Sequence, residues 1–99
     1  MDNKVALSSM AMDLKRAALG WHRNSNMVAE RFFLEAIKRR NEVDDSQVSQ
    51  HIKDIFKKVE NFVHISDTSE KAENALMFST LIQNFVLDSS LKSHQNISK

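Results

Sequence analysis

The chain is 99 residues long, with no proline and a single glycine. Because Pro and Gly are the residues that most often mark turns, their near-absence leaves few of the usual breaks between strands. No segment alternates apolar and polar residues with a period of two, which is the pattern of a half-buried strand. These observations argue against a β-rich fold and favour long helices.

Apolar residues recur three or four positions apart in four segments, the spacing of an amphipathic helix. The segments run from Leu7 to Trp21, Ala29 to Ile37, Val48 to Phe62 and Ala75 to Val86. Short connections force consecutive helices to run antiparallel. The sequence therefore predicts an all-α fold, an up-and-down four-helix bundle, as a single domain over residues 1–90. The polar residues 91–99 are expected to form a flexible tail.

The predicted breaks, near residues 21–25, 42–45 and 65–68, carry residues that start helices. Short polar side chains at an N-cap accept a hydrogen bond from a backbone N–H that has no partner within the helix. The candidates are Asn24, Ser25 or Asn26 for the second helix, and capping boxes at Asp44–Gln47 and Asp67–Glu70 for the third and fourth.

The only glycine, Gly20, directly precedes the only tryptophan, Trp21. We expect Gly20 to end the first helix, since glycine readily takes the left-handed conformation just after a helix. Trp21 then folds back onto the end of the bundle. If the helix instead continues through Gly20, Trp21 still falls on its apolar face. Both alternatives bury the indole, so we expect an anchor rather than a ligand-binding platform.

Residues that carry chemistry are few. With no cysteine, the chain has no disulfide, no thiolate zinc site and no thiol nucleophile. Its four histidines form none of the common metal-binding motifs, and one glycine cannot build a phosphate loop or a nucleophile elbow. We therefore expect no metal site, no cofactor and no catalysis of the chain's own.

The sequence shows no membrane-directed segment. The start, Met-Asp-Asn-Lys, lacks the apolar core of a signal peptide, and the most apolar stretch, residues 75–87, is too short to span a bilayer. We expect a soluble cytoplasmic protein with no membrane partner.

Charge is distributed unevenly. Residues 1–40 contain eight Lys and Arg against four Asp and Glu, whereas residues 41–99 contain six Lys against nine Asp and Glu. One interpretation is attraction between the halves, within the bundle or across a dimer. The other is an anionic partner, since Lys and Arg supply affinity for phosphates. The candidate nucleic-acid-binding residues are Arg23, Arg31, Lys38, Arg39 and Arg40.

The first two helical segments resemble HEPN domains. The resemblance lies in Asp13-Leu14-x-x-Ala17, Ala29, Phe32-Phe33, Glu35-Ala36 and Lys38-Arg39. It implies a small four-helix bundle, often dimeric, of a family found beside nucleotidyltransferases and in RNA-cleaving toxins. Active members carry an Arg followed four to six residues later by His on the third helical segment. The third segment here carries no such pair, so the resemblance implies the fold and the dimer but not ribonuclease activity.

Three of the four helices carry more apolar residues than one buried stripe requires. The extra residues are Val5, Met12 and Leu19 on the first helix, Met27 and Leu34 on the second, and Leu76 and Leu87 on the fourth. Contiguous exposed apolar surface usually marks an interaction site. We expect a small binding protein that forms a homodimer through Val5, Met12, Leu19, Leu76 and Leu87, with a further protein partner as another use of this surface. The alternative is a HEPN-like RNA- or nucleotide-associated module that uses the basic surface of the first two helices.

Overall fold

The computed structural model describes the backbone of residues 3–98 and the side chains of residues 3–88, except that of residue 63. Within this range, four α-helices, α1 to α4, span Asn3–His22, Asn26–Asn41, Gln50–Asn61 and Thr68–Ser98. Short 3₁₀ turns over Asp45–Gln47 and Phe62–His64 lie before and after α3. The described residues contain no strand, and the predicted all-α, up-and-down four-helix bundle is confirmed. The described backbone of α4 continues as helix to Ser98. The flexible tail predicted for residues 91–99 and the domain limit at residue 90 stay predictions.

Helix α1 is the central element, with α4 and α2 packed against it. The Ser79 hydroxyl of α4 donates a buried 2.7 Å hydrogen bond to the carbonyl oxygen of Ala11 on α1. On the other side, the backbone of Gly20 lies against Ala29 of α2. Small buried residues make both approaches close: Ala6, Ala11, Ala17, Ala18, Ala29, Ala36, Ala72 and Ala75.

An aromatic cluster joins α1, α2 and α4 to the 3₁₀ turn that follows α3. Trp21 of α1 lies edge-on to Phe62, with ring centroids 5.7 Å apart, and tilted against Phe33 of α2 at 6.2 Å. Phe62 also contacts Phe33 at 4.8 Å and Phe78 of α4 at 5.9 Å. Such tilted and edge-to-face pairs are the favourable arrangements of aromatic rings. Only 3% of Trp21 is exposed, so the indole is buried as both alternatives required.

The prediction that Gly20 ends α1 is wrong. Helix α1 continues through Gly20 to His22, and Gly20 has no positive φ. Asn24 takes the left-handed conformation instead, with φ of 58°. The Ser25 N–H then bonds to the Gly20 carbonyl at 2.8 Å and the Asn24 N–H to the Trp21 carbonyl at 3.1 Å. These two bonds form a Schellman motif with Asn at C′.

Helix α3 begins later than predicted. Asp44 accepts hydrogen bonds from the backbone N–H and hydroxyl of Ser46, but it caps the 3₁₀ turn rather than α3. These hydrogen bonds hold the pKa of Asp44 below its usual value. The N-cap of α3 is Ser49, whose hydroxyl accepts from the Ile52 N–H. The box at Asp44–Gln47 was therefore assigned to the wrong element, because a 3₁₀ turn uses the same capping chemistry as an α-helix.

The caps of α2 and α4 lie where they were predicted. Ser25 is the N-cap of α2, although its hydroxyl makes no capping bond. At the start of α4, the Asp67 carboxylate accepts from the N–H groups of Ser69 at 2.8 Å and Glu70 at 3.3 Å. Acidic side chains at this position also complement the positive end of the helix dipole.

Candidate interaction surfaces

The predicted interface residues of α1 and α4 lie on the surface. Met12 is 50% exposed and Leu76 is 43% exposed, and both line one groove between the two helices. Val5, Leu19 and Leu87 are also about half exposed. We call these five residues the α1/α4 surface. Large apolar side chains that are half exposed on two packed helices are typical of an interaction surface.

The hydrogen bond between Ser79 and Ala11 sets the register of the α1/α4 surface. Helices α1 and α4 are antiparallel. Val5, six residues before Ala11, therefore lies at about the level of Phe85, six residues after Ser79. Val5 therefore lies near the level of Leu87, while Met12 lies near that of Ser79 and Thr80. From Val5 to Leu19, the surface extends roughly 20 Å along α1.

Polar residues line the groove beside the apolar ones. They are Lys15 on α1 and Ser79, Thr80, Gln83 and Asn84 on α4. A shallow depression next to it, still on α4, is lined by Glu73, Leu76, Met77, Thr80 and Leu81. A cation, Lys15, thus lines the groove, and a carboxylate, Glu73, lines the neighbouring depression on α4.

The extra apolar residues of α2 are exposed elsewhere. Met27 is 88% exposed and Leu34 is 64% exposed. On a helical projection, both point away from Ala29 and Ala36, which face α1. They therefore do not extend the α1/α4 surface. The extra apolar residues, which the sequence analysis considered together, form two separate regions in the structure.

Three of the predicted basic residues are engaged by carboxylates. Arg40 makes a bidentate pair with Asp45, at 2.9 and 3.1 Å, bonds to Glu60 at 3.3 Å and lies 4.3 Å from the centre of the Phe56 ring. Arg39 contacts both carboxylate oxygens of Glu42, at 3.2 and 3.3 Å.

Lys38 lies 3.6 Å from Glu35 and remains largely exposed. Arg23 and Arg31 are exposed and make no ion pair with any described residue. The five predicted basic residues therefore divide into three groups. Arg40 joins α2 to α3, and Arg39 pairs with Glu42 at the end of α2. Arg23, Arg31 and Lys38 lie on the open surface.

A buried carboxylate between α1 and α2 was not singled out by sequence reasoning as a site. Asp13 is 7% exposed, and Arg16 donates to it at 3.2 Å. Burial raises the pKa of Asp13, while the hydrogen bond and charge of Arg16 act in the opposite direction. The small cleft here also includes Ser8 and Arg39. The available signal was an Asp within the apolar segment of the first helix, with an Arg three residues later.

The cleft at Asp13 contains no evident reactive arrangement. Its charges are balanced, because Arg16 pairs with Asp13 and Arg39 pairs with Glu42. Across the described part of the chain, no group of three or more His, Asp or Glu side chains is placed to hold a metal ion. Helices long and apolar enough to cross a membrane are also absent from this part.

No family model matches the chain, and comparisons with curated proteins and with solved structures likewise return no match.

Proposed function

We propose that this protein acts in the cytoplasm by binding, as a homodimer that pairs through the α1/α4 surface, without catalysis of its own. The observation that carries the proposal is the shared groove of Met12 and Leu76, in which side chains from two helices expose apolar area side by side. Covering such apolar area is favourable in water, and the part of this gain that exceeds the cost of association stabilises a complex.

Charge favours a second copy as the occupant. Lys15 lines the α1 side of the groove, and Glu73 lines the neighbouring depression on α4. In a two-fold contact the surface meets itself, so Lys15 of one copy can face Glu73 of the other. A dimer of this kind typically buries roughly 800 Å² per partner around an apolar centre. Two helices exposed over about 20 Å provide a patch of that order.

The test is the mass of the protein in solution at low and high micromolar concentration, by sedimentation equilibrium. We expect the wild type to dimerise and the Met12→Asp, Leu76→Asp double variant to stay monomeric with an unchanged helical circular-dichroism spectrum. The variant fails to pair because a dimer would bury unpaired carboxylates.

Met27→Asp is the matched control, since it adds a carboxylate at an exposed site outside the α1/α4 surface. It should leave the dimer intact. A wild type that is monomeric at high micromolar concentration, or a Met27→Asp variant that dissociates equally, would refute the proposal.

The HEPN-like, RNA- or nucleotide-associated role is the weaker proposal. Arg39 and Arg40 are held by Glu42, Asp45 and Glu60, so phosphate must compete with carboxylates for them. What supports this role is the remaining exposed charge of Arg23, Arg31 and Lys38. If it is correct, single-stranded RNA should bind with an affinity that falls steeply with salt, and changing these three residues should remove most of that dependence.

A further inference from the structure

The exposed side of α2 combines apolar and basic residues in one stripe. Met27, Arg31, Leu34 and Lys38 are spaced four, three and four residues apart, which aligns them on one face of the helix. All four are exposed, and that face lies opposite Ala29, Phe33 and Ala36 in the core. We call these four residues the α2 outer stripe.

The two apolar members are unusually open to solvent. Met27, at 88%, and Leu34, at 64%, are the most exposed large apolar side chains among the described residues. A single exposed leucine is unremarkable, but two on one face of one helix, each next to a cation, form a pattern. Methionine is also common at binding surfaces because its side chain adapts to different shapes.

The charge of the stripe is positive. Arg31 makes no ion pair with a described residue, and Lys38 contacts Glu35 only at 3.6 Å. An exposed pair of this kind contributes little and is readily exchanged for another partner. The other acid of α2, Glu30, instead contacts Lys71 of α4 at 3.6 Å. Neither Glu30 nor Glu35 lies on the stripe itself.

We propose that the α2 outer stripe is a docking site for an acidic amphipathic helix of a partner protein. A helix with leucines at the matching spacing covers Met27 and Leu34, and Asp or Glu beside those leucines pairs with Arg31 and Lys38. Nucleic acid fits less well, because a phosphate backbone engages the cations but covers neither apolar side chain. A lipid surface also fits less well, since two apolar side chains give little insertion. The proposal is independent of the homodimer, because the stripe lies on the side of α2 that faces away from α1.

The probe is a fluorescein-labelled helical peptide of about 15 residues, long enough to form a marginal helix. It carries Leu at positions i, i+4 and i+7 and Glu between them. Its control is the same peptide with Lys in place of Glu. Fluorescence anisotropy should show saturable binding of the Glu peptide, weakened by salt, and at least tenfold weaker binding of the Lys peptide.

Two double variants test the apolar residues and the basic residues of the stripe separately. Met27→Ser, Leu34→Ser removes the apolar contacts and should weaken Glu-peptide binding about tenfold or more. Arg31→Glu, Lys38→Glu reverses the charge, so it should lose the Glu peptide and gain the Lys peptide. Because all four side chains are exposed, the fold should tolerate both changes, and circular dichroism verifies this.

The matched control is Lys57→Glu, Lys58→Glu, which makes the same charge change on the exposed side of α3. It should bind the Glu peptide as the wild type does.

The proposal is overturned if the wild type does not bind the Glu peptide, if both peptides bind equally, or if the α3 control weakens binding as much as the stripe variants. It is also overturned if single-stranded RNA or anionic vesicles bind more tightly than the Glu peptide and the Met27→Ser, Leu34→Ser variant leaves the peptide affinity unchanged. Tighter binding of single-stranded RNA would then indicate a nucleic-acid partner, and tighter binding of anionic vesicles would indicate a membrane surface.

Discussion

Gly20 lies where α1 closely approaches Ala29 of α2, and its missing side chain permits that approach. A Cβ added there would be 2.9 Å from the Ala29 Cβ and 3.0 Å from the Ala29 N and Cα. Two of these three atoms are backbone, so relief requires a shift of the helix. The glycine is needed for packing and not for a turn, which a sequence alone does not distinguish.

Gly20→Ala should therefore destabilise the fold, although alanine is the better helix former. The gain in helix propensity is about 1 kcal/mol, and overpacking costs typically 1–3 kcal/mol. We expect a net loss measured by urea unfolding, with Trp21 fluorescence as the signal. The double variant Gly20→Ala, Ala29→Gly removes the contact between the two Cβ atoms but not the two backbone contacts, so the changes should show partial favourable coupling in a mutant cycle. Strictly additive effects would mean that the contact between the two Cβ atoms does not contribute to the loss, and an unchanged or higher stability of Gly20→Ala would contradict the prediction.

Helices were easier to predict than their limits or their polar contacts. The periodic apolar residues of α1, α2 and α4 identify these helices because burial of one face dominates their stability. The start of α3 was missed because Asp44 and Ser49 are both good caps, and only tertiary packing selects between them. Asp13 was missed as a site because its burial depends on the position of α2, which no local pattern specifies.

At the α1–α2 contact, the buried Asp13 makes stability depend on pH. Its pKa in the folded state is raised above the ordinary value of 3.8, chiefly by burial. A carboxyl with a raised folded pKa stabilises the fold fully below its unfolded pKa, and this contribution is lost as pH rises through the folded pKa. Asp13→Asn should therefore be more stable than the wild type at pH 7, with the advantage disappearing below about pH 3.8.

The measurement is the melting temperature of both proteins from pH 3 to 7. Asp88→Asn, on the exposed side of α4, controls for the loss of one negative charge. If Asp13→Asn is less stable at pH 7, the ion pair with Arg16 outweighs the cost of burial.

The four helices differ in how closely they pack against the rest of the bundle. Helices α1, α2 and α4 pack closely through alanine, glycine and serine, whereas α3 is attached mainly through large side chains. Ile52, Ile55, Phe56 and Val59 are its buried residues. Its last residues continue into Phe62, which anchors that end in the aromatic cluster.

We expect α3 to open before the rest of the bundle does. In native-state hydrogen exchange, amides of Gln50–Asn61 should exchange at a lower free energy than those in the middle of α1, because fewer contacts must break. Equal protection of the two helices, at the free energy of global unfolding, would contradict this and show that the bundle opens as one unit.

The central position of α1 has a consequence for synthesis on the ribosome. One of its partners, α2, follows it directly, but the other, α4, is separated from it by the whole of α3. The contact between Ala11 and Ser79 joins residues that emerge several seconds apart at elongation rates of roughly 5–20 residues per second. During that interval the alanine-lined side of α1 has no native cover. The nascent α1–α2 hairpin is therefore the stage at which this protein is most exposed to chaperones and to misassociation with neighbouring chains.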